Sequence, residues 1–489
     1  MKIVTSFLLL VGIAVGSAGS PGPFVQGPTA ERQQFIRVAA PVVVLTHVRI
    51  IDGTGAAARD DQTIVIADGK IQSIGPSLSA APANLPANAQ TLDLGGCTVL
   101  PGLVGMHNHM FFPMGGSPPM YSNMGISFPR LYLALGVTTI RTTGSVAPFT
   151  DLEIKRLIDA GRMIGPKMHI TAPYLEGRGS FTPVMHELSG AEDARKMVNF
   201  WADQGATSFK AYMNITRAEL RAAVEEAHKR GLKVTGHLCS IGYREAAEIG
   251  IDNLEHGLMA DSEFAANKQP DQCPGGAVSA SLRQLDLNSP AVRETISTLV
   301  AKNVAITSTL PVFEAGSAPL AQSGIGAASA LLNPRMLNVM STDARVRYLT
   351  ARARVSSDPG NVALLRKAMD FERAFARAGG LLIAGLDPTG NGGIVAGFGD
   401  LRQVELLVEA GFTPLEAIKI ASFNGARFLG EDARIGSIAI GKQADLMIVR
   451  GNPAVNISEI EKVEIVFRDG VGYDSEKLIQ SVQGLVGIR

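Results

Sequence analysis

The sequence predicts an α/β protein: a (β/α)8 TIM-like barrel with a small discontinuous β-sandwich domain formed by both chain ends. Three observations lead there. Between residues 101 and 430, eight short apolar runs alternate with amphipathic segments, the pattern of strands and helices in a parallel barrel. Histidine, lysine and aspartate residues stand at the ends of several of these runs, where such a barrel gathers its chemistry. Short alternating runs also occur at both ends of the chain, and neither end has enough strands to close a core alone.

Composition narrows the function classes. At 489 residues the chain is too long for one small core. Lys+Arg 45 balances Asp+Glu 45, so charge gives no argument for nucleic acid or for an anionic membrane surface. A hydrophobic fraction of 46% with 53 Gly and 26 Pro is that of a packed globular protein with many tight loops. The expected partner is a small-molecule substrate, and a homo-oligomer is left open.

Taken in order, the chain starts with Lys2, an apolar run from Ile3 to Val15, and small residues from Gly16 to Ser20. This reads as a secretory signal peptide, residues 1–18, cleaved after Ala18 and directing the protein to the periplasm or outside the cell. The alternative is an uncleaved anchor, but the run is short for a bilayer and a Pro-Gly-Pro loop follows. Three cysteines, Cys97, Cys239 and Cys273, allow at most one disulfide, and their spacing does not say which.

Residues 41–100 alternate in short β runs, with Asp68-Gly69 between two of them as a hairpin turn. Residues 431–489 repeat the style, and the two segments are expected to pair into one composite domain; two separate β appendages are the alternative. The barrel, residues 101–430, takes its strands from the runs at Leu103 to His109, Val137 to Ile140, Lys167 to Ile170, Ser208 to Tyr212, Lys233 to His237, Asn253 to His256, Val304 to Thr307 and Leu381 to Gly385. Capping boxes mark helix starts: Ser189 with Glu192, Thr216 with Glu219, and Thr413 with Glu416 after Pro414. The helix after Thr216 is amphipathic and stops at Gly231.

On a strand, His107 and His109 project from one face and can share a metal. His237, His256, Lys210 and Asp387 fall at the ends of other candidate strands, on the same rim of the barrel. Four neutral imidazoles and a carboxylate suit zinc best, with cobalt, manganese or nickel as substitutes. An ammonium beside divalent cations is repelled, so Lys210 makes sense if burial lowers its pKa and CO2 converts it to a carbamate. The alternatives are a metal-free polar rim, or a single-metal site in which Lys210 stays a simple cation.

These residues carry a resemblance. Pro101-Gly102-Leu103 leading into His107-Asn108-His109, Gly136 to Arg141, Lys210, His237, Asn253-Leu254-Glu255-His256-Gly257, Asp387 and the closing segment from Ile435 to Leu446 resemble the amidohydrolase superfamily. The likeness is to an exported branch similar to imidazolonepropionase-related enzymes and metal-dependent Xaa-Pro-type dipeptidases. The resemblance implies two divalent metal ions. His107, His109 and Asp387 would hold one, His237 and His256 the other, and carboxylated Lys210 would bridge them. It implies an exported amidohydrolase that cleaves an amide-type C–N bond, in an N-acyl amino acid or dipeptide, by attack of a metal-bridging hydroxide. Asp387 would be the catalytic residue, taking the proton and passing it to the leaving amine. A lactam, ester or lactone hydrolase on the same metal pair is one alternative, and a non-catalytic metal-binding or interaction protein another. Gly105, where the family often has an acidic residue, and the lack of Asp after Arg141 depart from the pattern without touching a ligand.

Of the remaining histidines, His47 and His228 read as surface or structural residues, and His169 as either barrel interior or packed core. His186, in a loop on the active-site side, and Tyr212, two residues past Lys210, are candidates for substrate contact. The Met-rich segment from Met110 to Met124 reads as packing that can also line an apolar subsite. Residues 261–380 hold one candidate strand, small-residue loops at Cys273 to Gly276 and Ala315 to Ala330, and helical stretches from Arg345 to Arg354 and Asn361 to Ala378; the long loops are expected to cover the rim and set specificity.

Overall fold

The computed structural model describes residues 30–77, 85–116, 118–317, 333–355, 358–388 and 394–488. The expected leader, residues 1–18, lies outside them. Eight parallel strands build the barrel-like wall: β1 (Leu103–Asn108), β2 (Val137–Thr142), β3 (Lys167–Ile170), β4 (Ser208–Ala211), β5 (Lys233–Gly236), β6 (Asn253–Glu255), β7 (Ala305–Ser308) and β8 (Leu382–Ala384). β1, β2 and β3 form one sheet and β4 to β8 a second. Neither sheet closes on itself. Between them, Thr171 bridges to Ser208, and on the other side the Asp387 N–H donates to the His107 carbonyl at 2.8 Å.

The wall strands are almost wholly buried, as strands covered on both faces must be, and are rich in Val, Ile and Thr. β8 can lie against β1 because residue 385 is glycine: a Cβ there would sit 2.4 Å from the His107 nitrogen. The helix Arg217–Lys229 starts in a complete Thr216/Glu219 capping box and is followed by Gly231 at φ +68°. Thr413 and Glu416 cap Pro414–Lys419 in the same way. The expected Ser189/Glu192 box is not formed. Gly190 is the N-cap of Ala191–Gln204, and Ser189 instead donates through its N–H and hydroxyl to Asp193 Oδ2, at 3.0 and 3.1 Å.

Strands from both chain ends meet in one nine-stranded mixed sheet. Its order is Ile36–Val38, Val471–Asp474, Val463–Arg468, Leu446–Arg450, Cys97–Pro101, Val42–Ile50, Arg59–Ala67 and Lys70–Pro76, with Gln90–Asp93 also on Val42–Ile50. Cys97–Pro101 runs antiparallel to Leu446–Arg450 and parallel to Val42–Ile50, a seam that joins the two ends in one ladder. Leu45, Ile64, Val99, Ile448 and Phe467 pack in its own core. The hairpin turn has φ +52° at Asp68 and +71° at Gly69, as a primed turn requires.

Within residues 261–380 the two expected helical stretches are the helices Thr342–Ala353 and Pro359–Arg377, and Ala277–Gln284 and Pro290–Ala301 are helices as well. Part of the small-residue stretch, 318–332, lies outside the described residues. Cys239 and Cys273 form a disulfide, and Cys97 is free and buried. Among the described residues no helix is long and apolar enough to cross a membrane.

Candidate metal centre

The C-terminal ends of the wall strands bring all six predicted ligands together. The His107 and His256 rings are 4.6 Å apart between centroids and the His237 and His256 rings 4.4 Å. His109 lies 5.2 Å from His107. Asp387 Oδ1 is 3.5 Å from His109 Nε2 and 3.7 Å from His107 Nε2, and Lys210 Nζ is 3.2 Å from His107 Nε2. Ligand atoms of His107, His256 and Asp387 lie within 4.8 Å of one another. Two of the six have unusual backbones, with φ +71° at His256 and +50° at Asp387. Such conformations cost free energy and gather at functional sites.

Three of the four rings are held by a hydrogen bond on Nδ1. His107 Nδ1 is 2.7 Å from Glu255 Oε2, His109 Nδ1 3.1 Å from the Gly144 carbonyl, and His256 Nδ1 2.7 Å from Thr309 Oγ1. These bonds leave Nε2 of His107 and His109 facing Asp387, as in metal-ligating histidines. His256 Nε2 is buried and has no hydrogen-bond partner among the described residues. A buried nitrogen left this way is costly unless something else takes its lone pair. The donor set, four imidazoles and a carboxylate around an orphaned nitrogen, fits a divalent metal.

Charge agrees. Burial lowers the pKa of His109 to about 4 and of His237 to about 3, so the rings are neutral, the form that binds metal. Burial also lowers Lys210 to about 8. Burial alone would raise Asp387, but His107 and a hydrogen bond from His109 hold it well below the usual carboxylate range. Glu255 is likewise pushed up by burial and held down more strongly by Arg141 and His107.

Arg141 and Glu255 are functional residues that sequence reading left without a role. The Arg141 guanidinium donates to the Met106 carbonyl at 2.6 Å, Asn253 Oδ1 at 2.8 Å and Glu255 Oε1 at 2.8 Å. It thus fixes the carboxylate that orients His107. The signal was available: a charge inside each of two buried strands must find a partner.

Above the ligands opens a cavity of about 650 Å³. Lys210, His237, His256 and Asp387 form its floor, and Tyr212, Tyr174, Phe111 and Tyr121 part of its wall. Tyr212 therefore lies where the sequence suggested. His186 does not: its Nε2 is 3.1 Å from Asp193 Oδ2, and Phe181 and Met185 are the residues that loop places on the cavity. His47 pairs with Asp61, His228 with Asp252 and His169 with Glu431. The Met-rich segment forms the hairpin Phe111–Met114 and Met120–Asn123, whose first strand lines the cavity.

Comparison with known proteins adds independent findings. The amidohydrolase family model matches residues 98–471. A Bifidobacterium longum protein named as a proposed prolidase is 25% identical, with 91% of this chain and 100% of that chain covered and a TM-score of 0.64. A Xaa-Pro dipeptidase solved with methionine in its active site is 19% identical, with 88% and 100% covered and a TM-score of 0.63. A bottromycin amidohydrolase is 20% identical, with 91% of each chain covered and a TM-score of 0.67. No curated protein matches the sequence.

Proposed function

The chain belongs to the amidohydrolase family, and from that premise we propose that it is an exported, metal-dependent hydrolase of amide-type C–N bonds. The substrate is an N-acyl amino acid or a dipeptide-like molecule. The observation that carries this reading is the convergence of four histidines, Lys210 and Asp387 at one end of the wall, all but His107 lining the cavity, with His256 Nε2 left without a partner among the described residues.

His107, His109 and Asp387 would hold one divalent cation, His237 and His256 a second, and Lys210 as its carbamate would bridge them. Zinc suits this set best. A bound metal pair supplies a water of lowered pKa and polarises the scissile carbonyl. Asp387 takes the proton of the attacking water and delivers it to the departing amine. Its ionised state and its reach across the floor to His107, His109 and His256 support that role. Tyr174 and Tyr212, with ring centroids 4.9 Å apart, flank Lys210 Nζ at 5.4 and 5.6 Å. Export is supported by the leader-like N-terminus and by the Cys239–Cys273 disulfide, a bond that persists in oxidising compartments.

The test is turnover of a panel of N-acyl amino acids by the mature protein, with and without a chelator. Activity abolished by chelation and restored by zinc is expected, with a loss of about 1,000-fold or more in Asp387→Asn. Turnover unchanged by Asp387→Asn would remove the proton-transfer role, and turnover indifferent to chelation would remove the metal.

A further inference from the structure

The strands of the wall have two ends, and the metal centre occupies one. At the other end a second cavity, of about 530 Å³, opens beside the starts of β7 and β8: Val304 and Leu381, the residues just before these strands, line it. Its apolar lining includes Leu299, Val300, Phe412 and Ile420, and its cations are Arg377, Lys419 and Arg427. The side chains of these three cations make no hydrogen bond or ion pair among the described residues. Glu416 is the one carboxylate among the described lining residues. Its Oε2 already accepts from the Thr413 N–H and hydroxyl, at 2.7 and 3.0 Å.

Residues 414–429 run as one helix whose middle five residues, Ile420–Asn424, form a π turn, a form frequent at functional sites. Asn424 also lines the cavity. Its Nδ2 donates to the carbonyl of Leu382, the first residue of β8, at 2.8 Å. Its Oδ1 is buried and has no hydrogen-bond partner among the described residues. A buried acceptor left unpaired is costly, and a ligand carrying an O–H or N–H would satisfy it. Arg377 closes the helix Pro359–Arg377, where the helix dipole favours a cation. Lys419, half-buried, lies in the middle of the 414–429 run, where no helix end accounts for its charge.

We propose that this cavity is a second ligand site, separate from the metal centre, for a small carboxylate that carries an apolar body and a hydroxyl or N–H donor. The carboxylate meets Lys419 and the two guanidinium groups, whose planar forks match a pair of oxygens. The donor meets Asn424 Oδ1, and the apolar body displaces water from Phe412 and Ile420. The site stands whether or not the metal centre hydrolyses amides, because it shares no lining residue with that centre.

The probe is phenyllactate, which has all three parts. It is compared with phenylpropionate, which lacks the hydroxyl, and phenyllactamide, which lacks the charge. Binding to the mature protein is measured by calorimetry, once with the protein reconstituted with zinc and once after chelation. Phenyllactate is expected to bind in both states, about tenfold or more tighter than the amide and about threefold or more tighter than phenylpropionate. Lys419→Ala and Arg427→Ala should each weaken it about threefold or more and leave metal content unchanged. Arg427 is exposed, so its replacement keeps the test open if Lys419→Ala fails to fold. No binding of phenyllactate, an amide that binds as tightly, or binding that both variants leave intact would overturn the proposal. So would binding that vanishes on chelation, which would place the ligand at the metal centre.

Discussion

A carboxylate and a guanidinium buried side by side inside a strand wall are each costly alone, and Glu255 and Arg141 are tolerated because each completes the other and together they orient His107. Glu255→Gln should therefore act through His107. Metal affinity is expected to fall about 10- to 100-fold, read by competition with a chromophoric chelator. An affinity within about twofold of the parent would mean that the carboxylate only supports the fold. Gly385→Ala makes a steric case: its Cβ would overlap the backbone of His107. β8 would be forced off β1, with metal content and melting temperature both falling; a variant that keeps both would show that the wall yields at this point. That the six candidate residues meet was legible in the sequence, because strand alternation puts His107 and His109 on one face and strand ends place the rest. Glu255 and Thr309 were not, since which ring a buried polar group reaches depends on strand order. His186 was misjudged because a loop's course decides whether residue 185 or 186 faces the cavity.

At the scale of elements, the helix Pro148–Asp159 carries Asp151 in its first turn, where the helix dipole favours a negative charge. Burial outweighs the dipole and a 2.6 Å hydrogen bond from Ser145, and raises Asp151 to about 7. The folded protein keeps this proton up to about pH 7, while the unfolded chain releases it near about pH 4. Through this group, stability is greatest below about pH 4 and falls as pH rises to about 7. The stability gained by Asp151→Asn should accordingly be larger at about pH 8 than at about pH 5, in denaturant titrations; an equal effect at both would show that the residue stays ionised throughout. The disulfide links the segment that follows His237 to the segment around residue 273, across 34 residues. Closing a loop of that length stabilises by about 3 to 4 kcal/mol in the chain-entropy model. Cys239→Ser with Cys273→Ser is expected to lower the denaturant midpoint to match. No change on reduction or substitution would mean that the bond does not form. The capping boxes at Thr216 and Thr413 could be read in advance because they are local. The one expected at Ser189 failed because Asp193 offered that serine a competing partner.

Across the whole molecule, the first and last strands depend on each other. Val471–Asp474 lies between Ile36–Val38 and Val463–Arg468, and the seam strand Cys97–Pro101 runs almost directly into β1 and its histidines. The pairing of the two ends was legible because neither could close a core alone. Their merger into one mixed sheet was not, since that depends on how the seam strand pairs on its two edges. Likewise the parallel wall and the helices Thr342–Ala353 and Pro359–Arg377 followed from pattern, whereas Ala277–Gln284, next to the Pro274-Gly275-Gly276 stretch, and Pro290–Ala301 did not stand out. The central claim is that this architecture exists to hold a bridged metal pair at one end of the wall. Metal content per chain by elemental mass spectrometry, on freshly purified mature protein beside Lys210→Ala, tests it most directly. Near two metals in the parent and a clear loss in the variant is the result expected. No metal even after reconstitution, or a content that Lys210→Ala leaves unchanged, would contradict it.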